Sequence, residues 1–499
     1  MKKYLLIVVA GLSISAAHSQ EISTVDAIRY SQQDFSGTSR FRAMGGAFGA
    51  LGGDLSAISV NPAGSAVFVN NQFGATIGVY NTKTDSDYFG TSTSENDSSF
   101  DFGQAGAVFV FDTDADNTGW RKVTLAVTYE NQLLDNTLFS AGTNPTNSVA
   151  NYFLNFANMD GGVPLNQLEN SFYEDFGFGG QQAYLGYQGY VINPTTGAPE
   201  NTSYFSNIPT GGNYFHENIV ESSGYNGKVT FNAATQYGDK FYFGLNLNSH
   251  FTDYRQVSSI FESNTNDPDA GLQRVRFTNE LYTYGSGFSF GLGTIAKVTP
   301  EIRLGLSYES PTWFRLYDEL SQSIRSVITD GTNEQDVVVN PGIINVYDGY
   351  RLQTPGKFTG SFAYVFGTKG LISVDYALKD YSNTKFGPNS DYRSLNNEMS
   401  NTLATTSEIR VGAEYRIKEF SLRGGYRYSQ SPYENTRVMG DLNGISAGIG
   451  YNFGGTKLDL AYSYSQRDYQ QAFLTSGLTD SANFSAVNNN VSLTLLFDL

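Results

Sequence analysis

The chain of 499 residues has no cysteine, three histidines and two tryptophans. Without thiols there can be no disulfides, thiolate metal centres, cysteine nucleophiles or lipid attachment through a cysteine. His18 falls in an N-terminal leader, which leaves His216 and His250, and neither has triad spacing or a nucleophile elbow around it. Two scattered histidines are also poor ligands for haem iron. No catalytic residue, metal site or cofactor is therefore expected. Basic residues are scarce as well: 31 Lys and Arg stand against 48 Asp and Glu, for a formal net charge of −17. That balance argues against nucleic acid as a partner, because a polyphosphate rewards basic surfaces. Mean hydropathy is −0.31, and no stretch beyond the leader is long and apolar enough for a membrane helix.

What the chain does have is aromatic residues and alternation. Lys2 and Lys3 precede an apolar run over 4–12, followed by the small residues Ala17 and Ser19, which reads as a signal peptide over 1–19. Beyond it, about fourteen segments alternate apolar and polar residues, the period of a β-strand with two different faces. Strands are expected near 72–80, 100–111, 120–131, 226–237, 240–251, 276–298, 301–313, 350–366, 370–380, 405–416, 419–431, 441–453, 456–468 and 487–499. Connections at 112–119, Gly238-Asp239, Thr299-Pro300, 367–369, Ile417-Lys418 and Gly454-Gly455 are short. Those between them are long, the longest spanning 132–225. Trimmed turns at one end and elaborated loops at the other describe an all-β transmembrane antiparallel β-barrel of about fourteen strands over 71–499.

The two faces of each strand fit such a wall. Val123, Leu125, Val127 and Tyr129 form one apolar set; Phe241, Phe243, Leu245 and Leu247 another; Ile302, Leu304, Leu306 and Tyr308 a third; Ile372, Val374, Tyr376 and Leu378 a fourth. Arg303, Glu309, Asp375, Lys379, Arg410, Glu414, Arg423 and Arg427 fall on the opposite faces. A Lys or Arg on the lipid face near the midplane costs about 2–4 kcal/mol, so these charges belong in the lumen. The 34 Tyr and 36 Phe suit interfacial girdles. A soluble β-sandwich with an aromatic core would share this composition but would not need every second loop trimmed. The lipid bilayer of a Gram-negative outer membrane is the expected partner, and a monomer the expected state. The last strand, with Phe497 near its end, is of the kind that outer-membrane assembly machinery reads.

Residues 20–70 do not alternate and read as a plug, or hatch, of short helices and turns. The glycines of Phe41-Arg42-Ala43-Met44-Gly45-Gly46-Ala47-Phe48-Gly49 follow no strand, so they do not make a phosphate loop. Asp54 can cap a short helix, and Pro62 must end it near Asn61. Asp112, Asp114 and Asp116 look like the start of a calcium loop, but Asn117 stands where glycine is required and no Glu follows at the twelfth position. In the long connection, Val149, Tyr152, Phe153 and Phe156 have helical spacing behind Ser148. After Pro164, Leu165, Leu168 and Phe172 share a second face. Two such helices either line a greasy groove that binds hydrophobic cargo or pack on each other and seal the loop.

The run Ser39-Arg40-Phe41-Arg42-Ala43-Met44-Gly45-Gly46-Ala47, then Asp54, Ala57 and Asn61-Pro62-Ala63-Gly64, resembles the N-terminal hatch signature of the FadL/TodX outer-membrane transporters of long-chain fatty acids and other hydrophobic compounds. Gly305-Leu306-Ser307-Tyr308-Glu309-Ser310-Pro311, and Leu422-Arg423-Gly424-Gly425-Tyr426 with Ser431-Pro432, look like further pieces of the family pattern. The resemblance implies a fourteen-stranded barrel closed by the hatch. Arg42, Gly45, Gly46, Asp54, Asn61, Pro62, Ala63 and Gly64 would be the hatch and gating residues, with Asn61, Pro62 and Ala63 where hatch meets wall. It also implies passive uptake of hydrophobic small molecules, long-chain fatty acids foremost. The family's third strand is kinked and opens a side exit, whereas Val123–Tyr129 holds no Gly or Pro to mark one. The alternative function is a surface-exposed adhesion or haem-binding barrel that works through its long loops.

Overall fold

The computed structural model describes residues 22–32, 35–113 and 119–499. The signal peptide and most of the aspartate-rich turn at 112–119 lie outside the described residues. Fourteen staves, β1 to β14 in chain order, close an antiparallel barrel. They are β1 (Gln72–Tyr88), β2 (Thr91–Asp112), β3 (Trp120–Leu133, resuming as Asn136–Asn144), β4 (Tyr214–Tyr237), β5 (Phe241–Asn264), β6 (Gly271–Lys297) and β7 (Ile302–Glu309, resuming as Trp313–Thr329). The others are β8 (the pieces Glu334–Val339, Asn345–Val346, Tyr350–Gln353 and Lys357–Val365), β9 (Gly370–Asp380), β10 (Thr405–Ile417), β11 (Phe420–Ser429), β12 (Leu442–Asn452), β13 (Thr456–Ala472) and β14 (Ser481–Asp498). β1 and β14 pair from Gln72↔Asp498 to Asp87↔Asn483, which closes the ring.

The expected apolar faces point outward: Val123, Leu125, Val127, Phe241, Phe243, Leu245, Leu247, Leu304, Leu306, Ile372, Tyr376 and Leu378 are all exposed. The staves, however, outrun the segments expected from alternation. β1 and β2 continue to a two-residue turn at Phe89-Gly90, and β5 and β6 run on to a connection over 265–270. At the outer ends of β1 and β2, Thr, Ser, Asn and Asp occupy both faces, so the apolar period fades although the ladder persists. Three of the outer connections are consequently short. The 132–225 connection likewise gives up its ends, where Asn136–Asn144 pairs with Tyr214–Ser222.

Inside the barrel lies the N-terminal segment: α1 (Thr24–Ser31), α2 (Ser39–Ala43), α3 (Ala57–Val60) and a 3-10 turn over Pro62–Val67. The outer mouth is covered by α4 (Ala150–Asn158), α5 (Leu165–Asn170) and α6 (Phe178–Gln188), with α7 (Arg393–Thr402) on the β9–β10 connection.

Candidate functional site: a hatch-closed chamber beside a break in the wall

The hatch is locked by its own turns and then to the wall. Thr38 caps α2, its hydroxyl donating to Asp54 at 2.8 Å, and the same carboxylate accepts the Ser56 N–H at 2.9 Å. Burial lifts the Asp54 carboxyl above the ordinary carboxylate range, opposed by Arg40 and by these two hydrogen bonds. Gly45 and Gly46 have φ of +60° and +76°, a turn other residues would enter only with strain. Arg42 is fully buried and donates to the Tyr80 hydroxyl at 2.6 Å. Arg40 reaches Glu414 of β10 at 2.9 Å, the N–H groups of Phe48 and Gly49 converge on Asp375 of β9, and Ser59 donates to Glu130 of β3 at 2.6 Å.

Asn61 ties hatch and wall together. Its side-chain amide donates to the carbonyls of Gly49 at 2.7 Å and Thr294 of β6 at 3.0 Å, and its oxygen accepts the Ala63 N–H at 3.1 Å. Pro62 ends α3 and hands its carbonyl to Asn232 of β4 at 2.9 Å. Ala63 and Gly64 are buried beside it, where Gly64 passes close to Gly52. The wall accepts this corner because Gly244 of β5 and Gly293 of β6, opposed in the ladder, leave a notch. A Cβ on Gly293 would fall 2.0 Å from Asn61 Oδ1, and one on Gly244 2.2 Å from the Pro62 carbonyl carbon. Gly305, Gly412, Gly425 and Gly448 admit Gly49, Met44, Gly45 and Ala43 in the same way. Gly305 and Gly425 stand in the stretches that resemble the family pattern, but the sequence reading assigned none of these wall glycines a role against the hatch.

Above the hatch lies a cavity of about 130 Å³ with Phe41, Ser56, Ser59 and Val60 of the hatch in its lining. Four cations line it, Lys228, Lys357, Lys379 and Arg410, along with Glu130 and Glu309. Lys228 pairs with Glu130 at 2.7 Å and Lys357 with Glu309 at 3.3 Å, whereas the Lys379 ammonium meets the Ser31 carbonyl at 2.5 Å. A second cavity of about 200 Å³ shares Phe35, Ser36 and Gln132 with the first and reaches the wall at Tyr80, Asp101, Asn131 and Asp135.

At that point the wall is broken. The β2–β3 ladder stops at Gln104↔Glu130, and β3 itself is interrupted at Leu134-Asp135. Asn131 donates to Asp101 across the break at 2.8 Å. No Gly or Pro over 120–135 announces this. The glycine stands on the neighbouring stave: Gly224 of β4, at φ +116°, takes Leu134 N–H on its carbonyl at 2.9 Å, and its missing Cβ would lie 2.1 Å from the Asp253 carbonyl. A register shift between Thr76 and Gly78 puts an extra residue into β2 just beside the break.

Two arrangements are open to the loop residues by their spacing, a groove or a packed seal. Val149, Tyr152, Phe153 and Leu168 are buried in one core with α6, Phe277 of β6 and Ile324 of β7, and Leu165 is buried outside that core. Phe156 packs on its edge, and only Phe172 is exposed, at 71%. The helical faces are real, but α6 and the wall already cover them, so they seal the mouth. His216 is also structural here: its Nε2 meets Glu262 at 2.7 Å and its Nδ1 the Tyr88 hydroxyl at 3.1 Å, while Glu262 holds the Ser148 hydroxyl and the Val149 N–H at the start of α4. His250 meets Ser289 at 2.9 Å, but that serine is fully buried.

A lipid-faced barrel with a hydrogen-bonded hatch and a side break belongs to the plugged outer-membrane channels. A family profile described as "Outer membrane protein transport protein (OMPP1/FadL/TodX)" matches residues 228–493, more than half of the chain, and the protein belongs to that family. It is a Gram-negative outer-membrane β-barrel that transports hydrophobic compounds. Among solved structures the fold is similar to a Pseudomonas aeruginosa FadL homologue (12% identity, 93% of this chain and 99% of that chain, TM-score 0.51). It is also similar to the P. putida toluene transporter TodX (14% identity, 93% and 99%, TM-score 0.52). No curated protein matches by sequence.

Proposed function

We propose that the protein takes up long-chain fatty acids passively through the hatch-closed barrel. The observation that carries this reading is the chamber itself, where Lys228, Lys357, Lys379 and Arg410 surround a cavity roofed by Tyr30 and Phe314. Lys228, Lys357 and Arg410 pair with Glu130, Glu309 and Glu408. The Lys379 ammonium instead rests on the Ser31 carbonyl, a place that a carboxylate headgroup can take and a neutral hydrocarbon cannot use. Burial at about 0.8 kcal/mol per CH₂ gives a long acyl chain ample affinity without any energy source. The cargo then leaves sideways at the Asp101–Asn131 break, where side-chain hydrogen bonds (Asn131 to Asp101, Thr137 to Asp97, Thr93 to the Phe139 carbonyl) stand in for the ladder beside the second cavity.

The test is uptake of radiolabelled oleate by cells lacking their own transporter, with and without this protein, and with toluene as a neutral comparator. Oleate uptake should rise with the protein and fall several-fold in Lys379→Met, while toluene entry responds to neither change. Equal oleate uptake with and without the protein sinks the proposal.

A further inference from the structure

The two tryptophans of the chain stand at opposite ends of the wall, and both are exposed. Trp120 opens β3 at the inner rim, and Trp313 lies on β7 at the outer end of the apolar belt. Trp313 stacks with Phe290 at 6.4 Å between centroids, and Tyr308 links Phe290 to Phe358 below it. Aromatic rings so placed mark the two interfaces of a bilayer.

Directly above Trp313 the outer face of the wall turns cationic. Arg315 is the next outward residue of β7, and Arg351 of β8 is its partner in the ladder. Both are exposed, whereas the residues that alternate with them, Phe314, Leu316, Tyr350 and Leu352, are buried on the lumen side. Lys385, on the short strand piece Lys385–Gly387, is exposed beside them, opposite Gln353. Arg315 lies over the Tyr317 ring at 5.6 Å. Among the described residues no carboxylate pairs with Arg315, Arg351 or Lys385.

Like charges directly opposed in a ladder are destabilising. Further out on the same face the chain compensates for them. Arg276 of β6 and Arg325 of β7 are also opposed, and there Glu217 meets the first at 3.9 Å and Asp336 the second at 2.6 Å. Arg255 and Arg274 likewise have Glu280 and Glu334. Arg315 and Arg351 lack this compensation, and they stand only about 6–7 Å along the strand from the girdle, where headgroups begin.

We propose that Arg315, Arg351 and Lys385 bind the phosphate of an outer-leaflet glycolipid, whose acyl chains lie down the wall on Trp313, Phe290 and Phe358. A phosphate offers its oxygens to two guanidinium forks and an ammonium at once, which turns an opposed pair of like charges into a bridge. The lysine reaches it by laying its apolar stem along the wall. A soluble anion would answer the charge but leave the aromatic girdle beneath it unused. The site is on the lipid side of the staves, so it is independent of the cargo in the lumen.

Trp313 supplies the reporter. In a Trp120→Phe background it is the only indole, and its emission follows binding to the purified protein. The probes are bisphosphorylated lipid A and the same lipid after phosphatase treatment. The phosphorylated form should bind about tenfold or more tighter, and Arg315→Gln/Arg351→Gln should erase the difference. Arg325→Gln should keep it, because that arginine already has Asp336. Without lipid the double variant should melt no lower than its parent, since it loses a repulsive pair. With lipid A only the parent should gain melting temperature. Millimolar inorganic phosphate should leave the lipid in place. Equal affinity for the two forms of lipid A, or a preference that survives in the double variant, overturns the site. Displacement by inorganic phosphate overturns a lipid as its occupant.

Discussion

Gly244→Val/Gly293→Val should open the channel. The two glycines face each other across the β5–β6 ladder and form the notch that receives Asn61 and Pro62. New side chains there would start 2.0 Å from Asn61 Oδ1 and 2.2 Å from the Pro62 carbonyl carbon, and the second of these contacts is backbone that no rotamer can move. Overpacking costs about 1–3 kcal/mol per site. Two opposed sites acting on one corner therefore shift the seated-to-unseated ratio on the order of a hundredfold. The barrel should still assemble, because valine suits a strand. Gly360→Val is the control, since a Cβ on Gly360 meets nothing within 4 Å. In planar bilayers the double variant should show steady conductance while the wild type and Gly360→Val stay closed. A double variant as closed as the wild type would show that these glycines do not seat the hatch.

That prediction could not have come from the sequence, and the reason is general. The lipid face was legible: Val123, Leu125 and Val127 alternate with Thr124, Ala126 and Thr128, and a period of two has one structural meaning. The hatch was legible too, since Asn61-Pro62-Ala63 stops a helix wherever it occurs. A wall glycine is silent, because its meaning depends on what approaches across the lumen, as Pro62 approaches Gly244. The break in β3 was hidden for a related reason, because Gly224, which permits it, stands 90 residues on from Leu134 in the chain. The loop helices were half legible. Spacing identified the faces of Val149–Phe156 and Leu165–Leu168, but α6 and Phe277, which cover them, lie outside either run. The outer ends of β1 and β2 escaped because strands wet on both faces lose the apolar period that identifies them.

The second large effect should fall on Glu414→Gln. The Glu414 side chain is fully buried and receives Arg40 of the hatch at 2.9 Å, Arg423 of β11 at 2.8 Å and Arg416 at 2.7 Å. Removing one member of a buried ion pair costs about 3–5 kcal/mol, because the partner keeps its desolvation penalty. The three arginines do not share that loss equally. Arg423 retains Asp459 at 2.5 Å, and Arg416, with 46% of its side chain exposed, can turn to water. Arg40 is only 15% exposed, and its other hydrogen bond is a 3.2 Å contact to the Gly53 carbonyl. The stranded charge is thus the one that anchors the hatch, so the variant should leak as well as unfold earlier. Heat-modifiable gel mobility should show the barrel melting well below the wild type, and conductance should appear before melting. Asp85→Asn sets the scale: its Lys83 pair lies half exposed on β1, and such pairs contribute about 0–1 kcal/mol. If Glu414→Gln melts no earlier than Asp85→Asn, the arginine cluster is not what clamps hatch to wall, and the contacts of Asn61, Asp375, Arg42 and Ser59 would have to carry that link.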